Sequence, residues 1–338
     1  PKTVESADFA VVESTYGDRI HCAERPDYVS ELAKIIDRTL SRGGNVVIPS
    51  FAVGRTQEML YFIREIKEKG LVKSAPDFPV YIDSPLAIEA TGIFLQCDTQ
   101  FVDEEMKALI RKGINPICFN GLKVATTQEE SVAINSDKTP KVIISASGMC
   151  DAGRVRHHLK HNLWRPESLV LFVGYQAVGT LGRALHDGAK TVHLFGEDIQ
   201  VLCEIASLPG VSGHADKNGL ISWVHAFAEK PARIIVNHGD PDACEAFAET
   251  LKSEGYNAFA PYSGTVYDPV ADEFVKVTKG IPVEKPTEYK SRRNPLYDAL
   301  VGAAEKLLQA VKGCEGRSNR DLKHFAEQIR SLTDKILK

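Results

Sequence analysis

Two rhythms of apolar residues alternate along most of the chain. Short continuous runs at residues 9–12, 45–49, 79–83, 141–145, 169–173, 191–195, 201–205 and 233–237 have the length and content of buried strands. Stripes spaced three and four apart lie between the early runs. Val29, Leu32, Ala33, Ile36 and Leu40 form one, stopped by Gly43-Gly44; Met59, Leu60, Ile63 and Ile66 form another within residues 56–69, stopped by Gly70. A shorter amphipathic stretch covers residues 220–227. Strand, helix and strand in alternation predict an α/β protein with a largely parallel sheet over at least the first 190 residues. Ligands of such sheets gather at the carboxyl ends of strands, where Glu13, Pro49, Asp83 and His238 all fall.

From Lys279 the texture changes. Pro282, Pro286 and Pro295 surround the charged run 290–293, which reads as a linker, and helical spacing resumes at residues 296–311 and 322–337. Residues 281–338 hold 12 Lys+Arg against 8 Asp+Glu, a local balance of +4 that leaves -8 for the remainder. A solvated helical hairpin used in packing or dimerisation is the first reading of this tail, and a nucleic-acid arm the second. The net charge of -4 excludes a wholesale basic coat but leaves room for a local basic groove. Hydrophobic residues at 43% and charged residues at 25% exclude fibrous and low-complexity classes. The 7 scattered cysteines, without a C-x-x-C pair, read as reduced thiols of a cytosolic protein. No run approaches the roughly 18 apolar residues of a membrane span, and no secretory pattern opens the chain, so a cytoplasmic protein without membrane contact is expected. Because the sequence opens at Pro1 without Met and reaches a strand within a few residues, the natural N-terminus is expected upstream.

Several segments carry candidate chemistry. Ser212-Gly-His214-Ala-Asp216 surrounds a histidine with small residues, which admits a ligand close to the backbone or makes a structural turn. Ile234-Ile-Val-Asn-His238-Gly-Asp240 ends an apolar strand in a histidine able to ligate a metal, move protons or bond to backbone. Glu13 has the same placement, and one carboxylate with two histidines suggests hydrolysis, although a metal site needs three or more ligands. The turns at residues 49–55, at Asp83-Ser-Pro-Leu86 and at Ser145-Ala-Ser-Gly148-Met149, with Gly153-Arg154 beyond, can meet phosphates or serve as plain strand-to-helix turns. The basic cluster Arg154, Arg156, His157, His158, Lys160, His161 and Arg165, with Trp164, reads as a solvated helix face or as a contact for single-stranded RNA. No carboxylate accompanies its histidines, which weakens a metal reading.

Together these segments resemble the β-CASP branch of the metallo-β-lactamase-fold nucleases, the family of the mRNA 3′-end processing endonuclease and its bacterial and archaeal relatives. The marks are Glu13-Ser-Thr-Tyr-Gly-Asp18, residues 49–55, Asp83-Ser-Pro-Leu86, Ser147-Gly148-Met149, Gly174-Tyr-Gln176 with Gly179-Thr-Leu-Gly182, Ser212-Gly-His-Ala-Asp216 and Asn237-His-Gly239. The resemblance implies a parallel-sheet β-CASP domain over residues 23–200. It would stand between the end of a first metallo-β-lactamase segment, residues 1–22, and a returning segment, residues 201–280, of that αββα domain. Residues 281–338 would be linker and helical extension. The resemblance also implies that Glu13 orients His214, that His214 gives a proton to the leaving oxygen, and that His238 ligates zinc. Histidine at that last position, where DNA-processing members typically carry valine, favours RNA. Arg55, Ser147, Gly148, Met149 and Arg154 are expected to bind RNA, because an Arg fork and adjacent backbone donors suit phosphate oxygens.

One departure is large. The family's H-x-H-x-D-H motif, a further histidine and a bridging aspartate have no counterpart in this sequence. The resemblance implies that they lie before Pro1, and that this chain alone hydrolyses RNA poorly or not at all. The expected function is that of a zinc-dependent ribonuclease of RNA processing or decay, with two zinc ions in the complete protein, single-stranded RNA as partner and a homodimer as candidate assembly. The alternatives are a non-catalytic RNA-binding scaffold subunit and, disfavoured by His238, a DNA nuclease.

Overall fold

Leu32, Ile36, Met59, Leu60, Ile63 and Ile66 share one fate, complete burial, because each helix carrying them presents a single apolar stripe to a sheet that is apolar on both faces. The computed structural model describes residues 2–21, 26–97, 99–208, 213–281 and 295–336. Ser212 and nearly all of the expected linker lie outside these residues, as do the ends of the domain boundary expected at 22 and 23. Two units are present, Pro1–Tyr289 and Lys290–Lys338.

The first unit opens with β1 (Phe9–Glu13), followed by α1 (Tyr28–Ser41), β2 (Val46–Pro49), α2 (Arg55–Glu68), β3 (Val80–Ile82), α3 (Pro85–Gln96) and α4 (Glu104–Arg111). It continues through β4 (Leu122–Val124), α5 (Gln128–Ser136), β5 (Val142–Ser145), α6 (Val155–Asn162), β6 (Leu169–Phe172) and α7 (Leu181–His186). Next come β7 (Thr191–Leu194), β8 (Glu197–Gln200), β9 (Glu204–Ser207), α8 (Lys217–Val224), β10 (Arg233–Asn237), α9 (Pro241–Ser253) and β11 (Ala258–Phe259). A hairpin of β12 (Val266–Asp268) and β13 (Glu273–Lys276) ends it.

Six strands form one sheet in the order β4-β3-β5-β2-β6-β9, and every pair in it is parallel. Period-two alternation divides the core along a single strand. Val46 and Ile48 of β2 pack with α1 and α2, whereas Val47 joins Val155, Leu159, Leu163 and Leu185 on the other face. A second, three-stranded sheet runs β1-β10-β11, also parallel, and packs Ala10, Val12, Ile234 and Val236 against Leu220, Val224, Phe247 and Leu251 of α8 and α9. The parallel α/β class expected from the sequence is therefore the class observed.

One strand expectation is met only in part, since of the run 201–205 only Glu204 and Ile205 enter β9. The apolar run 201–205 reads as a strand, but Val201 N–H donates to the Lys190 carbonyl, and Leu202 and Cys203 both donate to the Leu163 carbonyl. These bonds leave the pairing with β6 to begin only at Glu204. The preceding β8 returns antiparallel on β7 through Phe195 and Gly196, both at positive φ.

The second unit consists of α10 (Pro295–Lys312) and α11 (Asn319–Ile336). Among the described residues no helix is long and apolar enough to cross a membrane.

Replacing Leu60, which is fully buried, by Ala is expected to cost about 2–5 kcal/mol of unfolding free energy. The same change at Leu86, 60% exposed on α3, should stay within about 0.5 kcal/mol. Denaturant titration of the two variants checks the contrast.

Candidate active site

Parallel pairing of β1 with β10 sets Glu13 opposite Asn237 and so delivers the next residue, His238, beside the end of β1. The two loops are then sewn together. Ser14 N–H donates to the His238 carbonyl at 3.1 Å, and Ser14 Oγ donates to the Asn237 carbonyl at 3.1 Å. Gly239 is forced by this approach, since a Cβ there would lie 2.7 Å from Ser14 Oγ and 2.8 Å from its carbonyl oxygen. His238 itself holds a φ of 51°, the left-handed region that few non-glycine residues enter.

His214 arrives from the other side, just ahead of α8. Asp216 caps that helix by accepting from Gly219 N–H at 2.9 Å and also accepts from His21 N–H at 3.0 Å. Tyr16 makes a parallel bridge with Asp216, and Lys217 N–H donates to the Arg19 carbonyl. The segment after Glu13 is thereby stitched to the segment after His214.

The outcome is a cluster of three groups. Glu13 Oε2 stands 3.4 Å from His214 Nδ1, the imidazoles of His214 and His238 stack with centroids 5.3 Å apart, and one ligand atom from each of the three residues lies within 4.8 Å of the others. Thr15 sits among them: its N–H donates to Glu13 Oε2 at 2.7 Å, and its Oγ1 lies 3.1 Å from His238 Nδ1 and 3.4 Å from His214 Nδ1. Thr15 stands inside the quoted motif around Glu13, yet the sequence gives no signal that its hydroxyl falls between two rings.

The glycine-bearing turns of the large sheet gather in turn. Gln176 Nε2 donates to the carbonyls of Gly148 and Gly174, and Gly182 N–H donates to the Met149 carbonyl. A Cβ on Gly182 would overlap Gln176 Oε1 at 1.8 Å, so only glycine closes this junction. A Cβ on Gly148 would lie 3.1 Å from both the ring and the backbone nitrogen of Phe51, so the turn at residues 49–55 runs close beside Ser147-Gly148-Met149. Next to Gln176, Tyr175 Oη donates to Asp240 Oδ2 at 2.5 Å, linking these turns to the loop that carries His238; burial and the Asp240 carboxylate both push the phenol's pKa upward. Arg55, at the first position of α2, is bonded to Glu58 and largely buried.

Arg154 belongs to another cluster. Its guanidinium donates to Asp83 Oδ1 at 2.7 Å and to the carbonyls of Ala125 and Thr126. Asp83 Oδ2 also accepts from Ser131 Oγ at 2.5 Å and faces His158 Nε2 at 2.6 Å, with Asn135 on the opposite ring nitrogen. His158 is fully buried. The reading of the basic cluster as a solvated face thus fails at this residue, which shares its helical stripe with Val155, Leu159 and Asn162. Burial alone would raise the pKa of Asp83, but hydrogen bonds from His158, Ser131 and Arg154 outweigh it and hold the carboxyl below its ordinary value. The adjoining Asp83-Ser-Pro-Leu86 segment is a strand-to-helix turn, with Ser84 capping α3 and Pro85 in its first turn.

Comparison with known proteins places these geometries in a family. Residues 56–185 match the Beta-Casp domain, and residues 198–261 match the Zn-dependent metallo-hydrolase RNA specificity domain. The chain belongs to the β-CASP family of metallo-β-lactamase-fold ribonucleases. It is 35% identical over 255 residues to Ribonuclease TTHA0252 of Thermus thermophilus, a match covering 75% of this chain and 57% of that protein. It is 34% identical to transcription termination factor FttA of Methanocaldococcus jannaschii, covering 72% of this chain and 38% of the factor. An RNase J-like protein of the same archaeon is also 34% identical, covering 78% of this chain and 59% of its own length. The β-CASP chain thus spans from about two fifths to three fifths of these relatives.

The Asp83 cluster lies wholly within the matched β-CASP domain. Asp83→Asn, which leaves Arg154 and His158 facing an uncharged partner, is expected to cost about 3–5 kcal/mol near neutral pH. Because the native carboxyl titrates below its unfolded value, wild-type stability from this group is complete above about pH 4 and is lost as pH falls through the native pKa. Denaturation midpoints of wild type and variant, measured from pH 7 to pH 3, should therefore converge toward acid.

Proposed function

We propose that the chain serves zinc-dependent hydrolysis of RNA phosphodiester bonds, the chemistry of a β-CASP ribonuclease in RNA processing or decay. The observation carrying this reading is the meeting of Glu13, His214 and His238, donor atoms within 4.8 Å, at the ends of neighbouring segments. The RNA specificity named in the matched domain and the ribonuclease among the relatives support RNA as the substrate class.

Two imidazoles and a carboxylate are a donor set that suits zinc, and bonds of about 2.0–2.2 Å put two ligands of one ion at most about 4 Å apart. Holding one ion with all three residues would take movements of under an ångström, and the reading proposed uses His238 alone of the three. His238 is the residue we assign to zinc, and Glu13 is assigned elsewhere because its Oε2 already faces His214 and accepts from Thr15 N–H. Bound zinc supplies an activated water and offsets charge on the phosphate. Toward the leaving oxygen His214 acts as acid. With Nδ1 turned to Glu13, the proton it gives is the one on Nε2, so the working form is the imidazolium, and Glu13 fixes its orientation. Arg55 and the turn Ser147-Gly148-Met149 line the RNA path in this reading. Arg154, also expected on the RNA path, directs its guanidinium to Asp83 and to the carbonyls of Ala125 and Thr126, and its side chain stays 22% exposed. Among the described residues this is the one cluster of metal-ligand type. A two-ion centre needs more ligands than it offers, so the chain by itself is assigned weak zinc binding and little cleavage.

Calorimetric zinc titration tests the assignment. His238→Ala is expected to weaken zinc binding by about tenfold or more, whereas Glu13→Gln leaves it unchanged. Equal losses from His238→Ala, Glu13→Gln and His214→Ala would instead mean one three-ligand site. In parallel, Arg55→Ala should lower the salt slope of single-stranded RNA binding by about one. RNA binding that is indifferent to zinc, with no cleavage in the zinc-loaded full-length protein, would favour the scaffold reading.

A further inference from the structure

The hydroxyl of Thr15 faces three polar groups at once. Its Oγ1 lies 3.1 Å from His238 Nδ1, 3.4 Å from His214 Nδ1 and 3.3 Å from the His238 carbonyl oxygen. Its place is set by the backbone around it. Ser14 N–H donates to that same carbonyl, Thr15 N–H donates to Glu13 Oε2, and the Thr15 side chain is buried and, being β-branched, stiff at χ1.

A hydroxyl has one proton to give and two lone pairs to offer. A carbonyl can only accept, so the Thr15 proton goes to the His238 carbonyl, and what the hydroxyl turns toward the rings is acceptor capacity. His238 Nδ1 is then the donor. We infer that Thr15 is a positioning residue for His238: its Oγ1 accepts from Nδ1–H and so leaves the lone pair of the neutral ring on Nε2. His238 is exposed, and Nε2 is the nitrogen left to meet a cation. The second lone pair of Oγ1 faces His214 Nδ1, which Glu13 Oε2 also approaches to 3.4 Å, so one oxygen suits a proton on Nδ1 of both rings. The opposite arrangement is worse on two counts. With the hydroxyl turned to His238 Nδ1, two oxygens would stand 3.3 Å apart with no hydrogen between them, and the ring would carry its hydrogen on Nε2 with no nitrogen to offer. The consequence for zinc rests on the assignment of His238 proposed above, whereas the placement of the ring proton does not.

Nitrogen-detected NMR of the zinc-free 338-residue chain, read where the His238 ring is neutral, tests the inference. The wild-type ring should carry its proton on Nδ1. Thr15→Val, which keeps the branching and removes the hydroxyl, should shift the population toward Nε2–H, and Thr15→Ser, which keeps the hydroxyl, should retain Nδ1–H. In calorimetric titration with zinc alone, Thr15→Val is expected to weaken binding by about tenfold, with Thr15→Ser close to the wild type. An Nε2–H ring at His238 in the wild type overturns the inference. So does a ring unmoved by Thr15→Val, or a loss of zinc affinity that Thr15→Ser shares in full. Because the ring proton is read without zinc, the result stands apart from the zinc assignment, which His238→Ala decides.

Discussion

The parallel pairing of β1 with β10 is the constraint on which the candidate site depends. It joins Ser14 to Asn237 across 223 positions of sequence and fixes which residues emerge together at the carboxyl edge. The register is held by burial, since Ala10, Val12, Ile234 and Val236 all face the helices. A slip of one residue would turn Phe9 and Val11 inward and carry Glu13 away from His214. Hydrophobic patterning thus sets the distance between a carboxylate and an imidazole that share no local sequence.

Two polar contacts organise the turns of the large sheet, one within it and one joining it to that edge. Asp83, buried under hydrogen bonds from Ser131, Arg154 and His158, locks the ends of β3 and α6 together and leaves no charge of its own unpaired. Tyr175 reaches across to Asp240 and connects the glycine-bearing turns to the His238 loop. The first contact is structural, and the second positions the proposed RNA path relative to the proposed chemistry.

Much of the fold was legible because strands of a parallel sheet are buried on both faces and read as continuous apolar runs. β2, β5 and β6 show this, each buried throughout, and α1 and α2 show the matching stripes. The displaced start of the strand expected at residues 201–205 has the same origin, since residues 201–203, whose amides bond to Lys190 and Leu163, look no different in sequence from a strand. Glu13, His214 and His238 were legible only as a set in family order, for any one histidine in a turn has a structural explanation. Thr15 escaped because a hydroxyl between two rings leaves no mark on composition or spacing. His158 was misread from its basic neighbours, although its place on the stripe of Val155 and Leu159 pointed inward.

Nitrogen-detected NMR of the His214 ring tests the central claim most directly. A ring held by Glu13 carries its proton on Nδ1 when neutral, whereas a ring without that partner is free of this constraint. The expected result is an Nδ1–H tautomer in the wild type and its redistribution in Glu13→Gln. An Nε2–H tautomer in the wild type, or a spectrum unchanged by the substitution, would contradict the account.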